Sequence, residues 1–390
     1  VELEWLVRDR RDPAALVAPE RVARALADLG AADGDGFPGE AVNVVLNNAL
    51  ITAEPGGQLE LSSAPASTLG ELVDMTLRDL ATLRDAMARV GLELCGYGLD
   101  PLRLPERVLD LPRYAAMEEF FDRDGPWGRQ MMCGTASVQV CVDAGDDGGT
   151  LSGYQARWRL LHTIGPVLVA AFANSPLRAG RPTGWRSARQ QVWAHLDPGR
   201  TRAPRANGDP RSAWAAYALD AAVMCVCDPD SSDWTAPRGL TFRDWVRGSH
   251  SRPPTTEDLD YHLSTLFPPV RPRGHMELRM IDAQPGDGWI VPAAVVSALA
   301  DDPRAADAAM SAAERVWKAP GDPWLRAARL GPADPEISRA SKACFAAAEA
   351  ALRRAGTPDS ILRAVTGFME RYVLQDRCPA DDQLEGIAHD

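Results

Sequence analysis

The sequence has no dense cluster of lysine and arginine interleaved with aromatics. Its formal net charge is −12 and its pI about 5.1. Nucleic acid and anionic membrane would repel such a chain, so neither is the expected partner. CxxC is also missing. The seven cysteines, Cys95, Cys133, Cys141, Cys225, Cys227, Cys344 and Cys378, are scattered, and "MCVC" (Met224–Cys227) has no second pair. They read as buried thiols in a reducing cytoplasm, not as a disulfide framework or a zinc site. The longest apolar run, "LLHTIGPVLVAAFA" from Leu160, is shorter than a membrane span and contains His162 and Pro166. No signal-peptide pattern is present. Because the first residue is Val1, native residues are expected ahead of it. "DAGDDGG" from Asp143 is glycine-rich, but no Gly-Lys-Ser/Thr follows, which excludes a phosphate loop. There is no internal repeat and no low-complexity linker.

What remains is an ordinary soluble composition, 45% hydrophobic and 25% charged over 390 residues, enough to bury a large core. Length alone allows one to three domains; a single domain over 1–390 is expected, with sheet motifs through residue 290 and an Ala-rich helical portion over 291–390. Helices are expected over 19–30, with Gly30 as its stop, over Thr68–Val90 behind a Thr68/Glu71 capping box, and over about 152–173. Another is expected after a capped start at Thr255. Loops are expected through much of 174–212, and helix breaks at Pro303, Pro320, Pro332, Pro335 and Pro358. Strands do not alternate regularly with helices, so the expected class is α+β.

The informative pattern has period two. In "VELEWLV", Glu2 and Glu4 share one face of a strand while Leu3 and Trp5 take the other. "GQLELSS" places Gln58, Glu60 and Ser62 together against Leu59 and Leu61. "HMELRMID" places Glu277 with Arg279, and "TASVQVCVD" places Gln139 with Cys141. A solvated sheet face is the plain reading of each strand. Carboxylates dominate these faces, however, and if the strands are neighbours the charges must take up protons or bind cations. Oxygen ligands without His or Cys point to Mg²⁺ or Mn²⁺, and Mg²⁺ beside an arginine is a setting for a nucleoside triphosphate.

Six ordered segments carry a resemblance: "VELEWLV", "EPGGQLELSSAP", "YAAMEEFF", "MMCGTASVQVCVD", "AAFANSPLRAGRPTGWRSARQQVWAHLD" and "DLDYHLSTLFPPVRPRGHMELRMID". The chain resembles the plant-type and bacterial glutamate–cysteine ligases, and most of all the actinobacterial members that serve ergothioneine biosynthesis. The resemblance implies a curved antiparallel sheet forming a cup, akin to glutamine synthetase, with helices packed outside. It implies ATP, Mg²⁺, L-glutamate and L-cysteine as ligands, and γ-glutamyl phosphate as the intermediate. It makes Glu2, Glu4, Glu54, Glu60 and Glu277 candidate metal ligands, with Glu60 and Arg279 in catalysis. Arg189 would grip the α-carboxylate of glutamate, and Gln139 and Cys141 would line the substrate pocket. Among Arg178, Arg181, Arg186, Arg189 and Arg200, only the resemblance selects Arg189. Trp193 and His262 read as packing residues. Cys141 stands where the family usually carries Asn, losing an amide donor and acceptor. That departure favours, as the second reading, a related carboxylate–amine ligase with a different acceptor.

Overall fold

The computed structural model describes residues 1–27, 29, 44–123, 125–149, 153–204, 208–228 and 231–389. The expected stop at Gly30 lies outside them; the first helix runs Pro19–Ala27. Ten strands are assigned among the described residues: β1 (Glu2–Asp9), β2 (Val44–Val45), β3 (Ala49–Ala53), β4 (Leu59–Ser63), β5 (Leu92–Cys95), β6 (Ser137–Asp143), β7 (Leu177–Arg178), β8 (Arg181–Pro182), β9 (Val270–Pro272) and β10 (His275–Asp282). All but β7 and β8, a separate hairpin, join one sheet in the order β2-β3-β4-β1-β6-β10-β9. The far half of β1 leaves that path to pair with β5. Every pairing is antiparallel. The chain therefore combines an antiparallel sheet with many helices rather than winding a parallel sheet.

Alternation decides which face is covered. Leu3, Trp5, Leu59, Leu61, Val138, Val140 and Leu278 share one buried cluster with Leu80, Leu83 and Met87 of the helix Leu69–Arg89. Leu161 of the helix Tyr154–Ala171 and Val295 and Leu299 of the helix Ile290–Asp301 complete that layer. Each such side chain contributes about 1.5–3 kcal/mol on burial. A one-residue slip of β1 would exchange Leu3 and Trp5 for Glu2 and Glu4, so the core fixes the register that gathers the acids. A second, separate cluster includes Met117, Phe121, Met131, Met132 and Val192.

Local signals account for the helix starts. Thr68 caps its helix through the Glu71 amide at 3.1 Å, but Glu71 accepts from the Ser67 amide rather than closing the box on Thr68. Thr255 and Asp258 form a complete capping box. The expected helix at 152–173 runs Tyr154–Ala171, and residue 152 is outside the described set. The stretch expected as loops holds short helices, Ala188–Ala194 and Pro198–Thr201. Five Asp-Pro pairs open helices: Asp197–Pro198, Asp209–Pro210, Asp302–Pro303, Asp322–Pro323 and Asp334–Pro335. In each, Asp accepts from the first-turn amides and Pro lacks the N–H that would be orphaned. Among the described residues no helix is long and apolar enough to cross a membrane, and the seven cysteines are free.

Candidate active site

The polar face of the sheet lines a cavity of about 360 Å³. Its carboxylate wall follows from the ladder. Glu4 of β1 stands opposite Glu60 of β4, Thr52 of β3 opposite Glu60, and Glu2 opposite Gln139 of β6. Glu54 joins them from the turn between β3 and β4, whose backbone is pinned by Glu54 and Gln58. Four carboxylates thus face one space. Burial raises Glu4, Glu54 and Glu60 above the usual carboxylate range. Repulsion from Glu2 adds to it for Glu4, from Glu4 and Glu2 for Glu54, and from Glu54, Glu2 and Glu4 for Glu60, while Arg189 and Arg279 offset part of the rise at Glu4. Glu54 reaches about 7. Glu60 is steadied by Ser62 Oγ at 3.0 Å and Thr52 Oγ1 at 3.3 Å. Among the described residues, no three acidic, imidazole or thiol groups converge closely enough to hold a metal ion alone.

The opposite wall is cationic, with Arg113, Arg189, Arg271, Arg273 and Arg279. A bulge in β10 places Arg279: the register against β6 shifts between Leu278 and Ile281, and the Arg279 amide donates to Pro269 O at 2.8 Å. Its guanidinium donates to both Gln139 and Glu277. Gln139 Nε2 then donates to Glu4 Oε1 at 3.0 Å, linking the two walls. Arg189 sits on the helix Ala188–Ala194 and is buried. Its Nη2 donates to Arg279 O at 2.9 Å, while Nε and Nη1 have no hydrogen-bond partner. A buried guanidinium with two unused donors is built to receive a carboxylate or phosphate.

Two candidates lie apart from the carboxylate group. Glu277 is fully buried and held by Arg271 Nε at 2.8 Å and Nη2 at 2.9 Å, besides Arg279. Burial alone would raise it, but Arg279 and Arg271 override this and hold it at about 2. Cys141 stands opposite Glu277 in the ladder and is half-buried, off the cavity wall. Burial, with Glu2 and Glu277 near, pushes its thiol up to about 12, so it is no thiolate nucleophile at neutral pH. His262 hydrogen-bonds Ala218 O at 2.8 Å and stacks on Phe242, as a packing residue does. Trp193 lies on the cavity rim.

Three functional candidates escaped the sequence reading. Arg271 belongs to the tight hairpin β9–β10, whose turn puts Gly274 at φ 77°. Three residues, Arg273–His275, lie between the paired Pro272 and Met276, and that turn, recognised in "VRPRGHMEL", would have placed Arg271 opposite Glu277. Arg113 enters from the helix Pro112–Asp122, its guanidinium 5.2 Å from the Tyr261 ring centre. Asp282 is buried and accepts from the Asn174 amide at 2.9 Å, Ser175 Oγ at 2.7 Å and Ser187 Oγ at 2.9 Å. It lies 3.8 Å from Arg189 Nη1 and so positions that helix.

Residues 1–385 match the family model described as glutamate–cysteine ligase family 2. The chain is 44% identical over 275 residues to glutamate–cysteine ligase EgtA of Mycobacterium tuberculosis, 68% of this chain and 63% of that protein. Identity to EgtA of Mycolicibacterium smegmatis is 44% over 273 residues, with the same shares, 68% and 63%. The chloroplastic glutamate–cysteine ligase of Brassica juncea is 31% identical over 244 residues, 60% of this chain and 46% of that protein. The chain thus spans about 63% of the length of the mycobacterial relatives it matches. With the family model spanning nearly all its residues, the chain belongs to glutamate–cysteine ligase family 2.

Proposed function

We propose that the protein is an ATP-dependent glutamate–cysteine ligase, forming γ-glutamylcysteine for ergothioneine biosynthesis in the cytoplasm. One observation carries the reading: a single cavity sets repelling, partly buried carboxylates against a wall of arginines, of which buried Arg189 keeps two donors unused. A carboxylate is a poor electrophile, so the γ-carboxylate of L-glutamate first attacks the γ-phosphorus of ATP and ADP leaves. The amine of L-cysteine then attacks the γ-carbonyl carbon, phosphate leaves, and the amine loses a proton. Three anionic groups must meet, and the arginine wall offsets their charge. Arg279 faces the transferring phosphoryl group, Arg189 takes the α-carboxylate of glutamate, and Gln139 holds the two walls in register.

Glu2, Glu4, Glu54 and Glu60 fit Mg²⁺, because hard oxygens starved of counter-charge are its usual protein donors. Mg²⁺ is characteristically shared between a few carboxylates and substrate phosphates, consistent with carboxylates that, among the described residues, do not form a three-ligand site by themselves. When bound, the ion supplies neutralisation of phosphate charge. Glu277 joins that set only by releasing an arginine; as it stands it orients Arg271 and Arg279. The sheet is one wall of a cup like that of glutamine synthetase, and residues 1–390 act as a single catalytic domain buttressed by the helical portion. The test is release of ADP and phosphate from ATP, which must require both L-glutamate and L-cysteine; equal turnover with cysteine omitted removes the assignment. Cys141, on the polar strand face beside Gln139, favours as second reading a different amine acceptor, and an acceptor panel in the same assay decides.

A further inference from the structure

The helix Pro379–His389 stands outside the carboxylate cavity, and none of its described side chains lines it. It docks instead on the segment that leads into the helix Ala188–Ala194. The Ala380 amide donates to Ala173 O at 2.9 Å, and Asp381 pairs with Arg186 at 2.8 Å. Gln383 reaches furthest in: its Nε2 donates to Asn174 O at 3.0 Å and to Asn174 Oδ1 at 2.6 Å. Asn174 is 2% exposed, and its Nδ2 donates to Gly96 O at 2.8 Å and Ala283 O at 2.7 Å. Those two carbonyls fix which end of the Asn174 amide is the nitrogen, and so turn Oδ1 toward Gln383. An acceptor buried this deeply is costly to leave without its donor.

From Asn174 the contacts run to the arginine wall. The Asn174 amide and Ser175 Oγ both donate to Asp282 Oδ2, and Ser187 Oγ donates to Oδ1. The two serines in turn accept from first-turn amides of the helix Ala188–Ala194: Ser175 Oγ from Arg189 N at 3.1 Å, Ser187 Oγ from Gln190 N at 3.2 Å. Asp282 therefore sets the angle of the helix that carries Arg189. Burial raises the Asp282 carboxyl, and Arg189, the Asn174 amide and the two serines oppose that rise. The carboxylate stops 3.8 Å short of Arg189 Nη1, because its three donors hold it back. At that distance it offsets the charge of the buried guanidinium without forming a hydrogen bond to it. Arg189 Nε and Nη1 stay free for a substrate.

We propose that Gln383 is a positioning residue for glutamate: it anchors Asn174, Asn174 and the two serines hold Asp282, and Asp282 aims the free donors of Arg189 at the substrate carboxylate. The inference rests on the reading above that Arg189 takes the α-carboxylate of glutamate, and it adds to that site a helix that touches no substrate. Gln383 is half-buried, so Gln383→Leu keeps the bulk and removes both donors. It should raise the KM for glutamate about fivefold, the worth of one hydrogen bond, and leave the KM for ATP within about twofold. A lysine ammonium is a point charge on a flexible stem and does not depend on the helix angle. In an Arg189→Lys background, Gln383→Leu should therefore add less than about twofold. Asp382→Ala is the control for docking alone. It removes the pairs with Arg377 at 2.9 Å and Tyr372 Oη at 2.7 Å on the same helix, and should lower the melting temperature without moving the KM for glutamate. Titration calorimetry with L-glutamate reads the same ratios as Kd, without turnover. A KM moved by Arg189→Lys but not by Gln383→Leu, full additivity of the two, or an equal rise with Asp382→Ala overturns the proposal and leaves the ligase reading intact. A KM unmoved by Arg189→Lys sinks the Arg189 assignment and the proposal with it. Glutamate affinity that falls with Gln383→Leu in a protein without ligase turnover supports the positioning role and sinks the ligase reading.

Discussion

Glu54 offers a quantitative handle on the carboxylate wall. Its carboxyl rises from 4.5 to about 7, first by burial, then through the charges of Glu4 and Glu2, with Arg113 and Arg279 offsetting part. Between pH 4.5 and 7 the folded protein keeps a proton that the unfolded chain has released. Stability is therefore fully present below about 4.5 and falls as pH rises toward 7. A rise of about 2.5 at about 1.4 kcal/mol each gives at most roughly 3.5 kcal/mol, an upper bound because Glu54 is only partly buried and water enters the cavity. At pH 7 the group is about half protonated, so a divalent cation binding the carboxylates should expel about half a proton from Glu54 alone. The assay is the melting temperature against pH, with chelator or with excess MgCl₂, for wild type and Glu54→Gln. Wild type with chelator should lose stability across pH 4.5–7, Mg²⁺ should restore it, and Glu54→Gln should flatten the profile. Calorimetric Mg²⁺ titrations in two buffers of different ionisation heat count the protons. Identical profiles for wild type and Glu54→Gln, with no proton released, would refute the reasoning.

Other perturbations follow from named contacts. Arg271→Met leaves fully buried Glu277 with Arg279 alone, and should cost about 3 kcal/mol by urea denaturation; a loss under 1 kcal/mol would show that the Arg271 pair is dispensable. Arg189→Lys exchanges a planar fork for a point charge, and should raise the KM for glutamate at least tenfold with the KM for ATP little changed. Gly165→Ala forces Trp324 off its seat, where the added carbon would lie 2.1 Å from the ring, and should destabilise the protein by about 1–3 kcal/mol in thermal melts.

The strands and their faces were legible in the sequence because period two is a local property. Glu2 with Glu4, Gln139 with Cys141, and Glu277 with Arg279 could be grouped within each strand without knowing its neighbours. The pairing of Glu4 with Glu60 could not, since register is set by the whole core beneath β1 and β4. Arg271 was hidden by the flanking prolines of "PPVRPRG", which argue against a strand in general but are tolerated in the edge strand β9. The bulge that re-aims Arg279 leaves no mark in alternation. Pro303 and Pro335 were visible but read as breaks, although Asp before Pro is as good a start as a stop. Glu277 and Cys141 share the polar strand face with the other candidates, yet the arginines and the ladder geometry keep them off the carboxylate group.

The claim at the centre of this account is that the cavity activates a carboxylate by phosphorylating it. Incubation with L-glutamate carrying ¹⁸O in its γ-carboxyl group, with ATP and L-cysteine, tests it most directly. Transfer of one labelled oxygen from glutamate into each phosphate released is the predicted result, because the bond that leaves with phosphate is the one glutamate formed. Phosphate free of label, at full turnover, would contradict it.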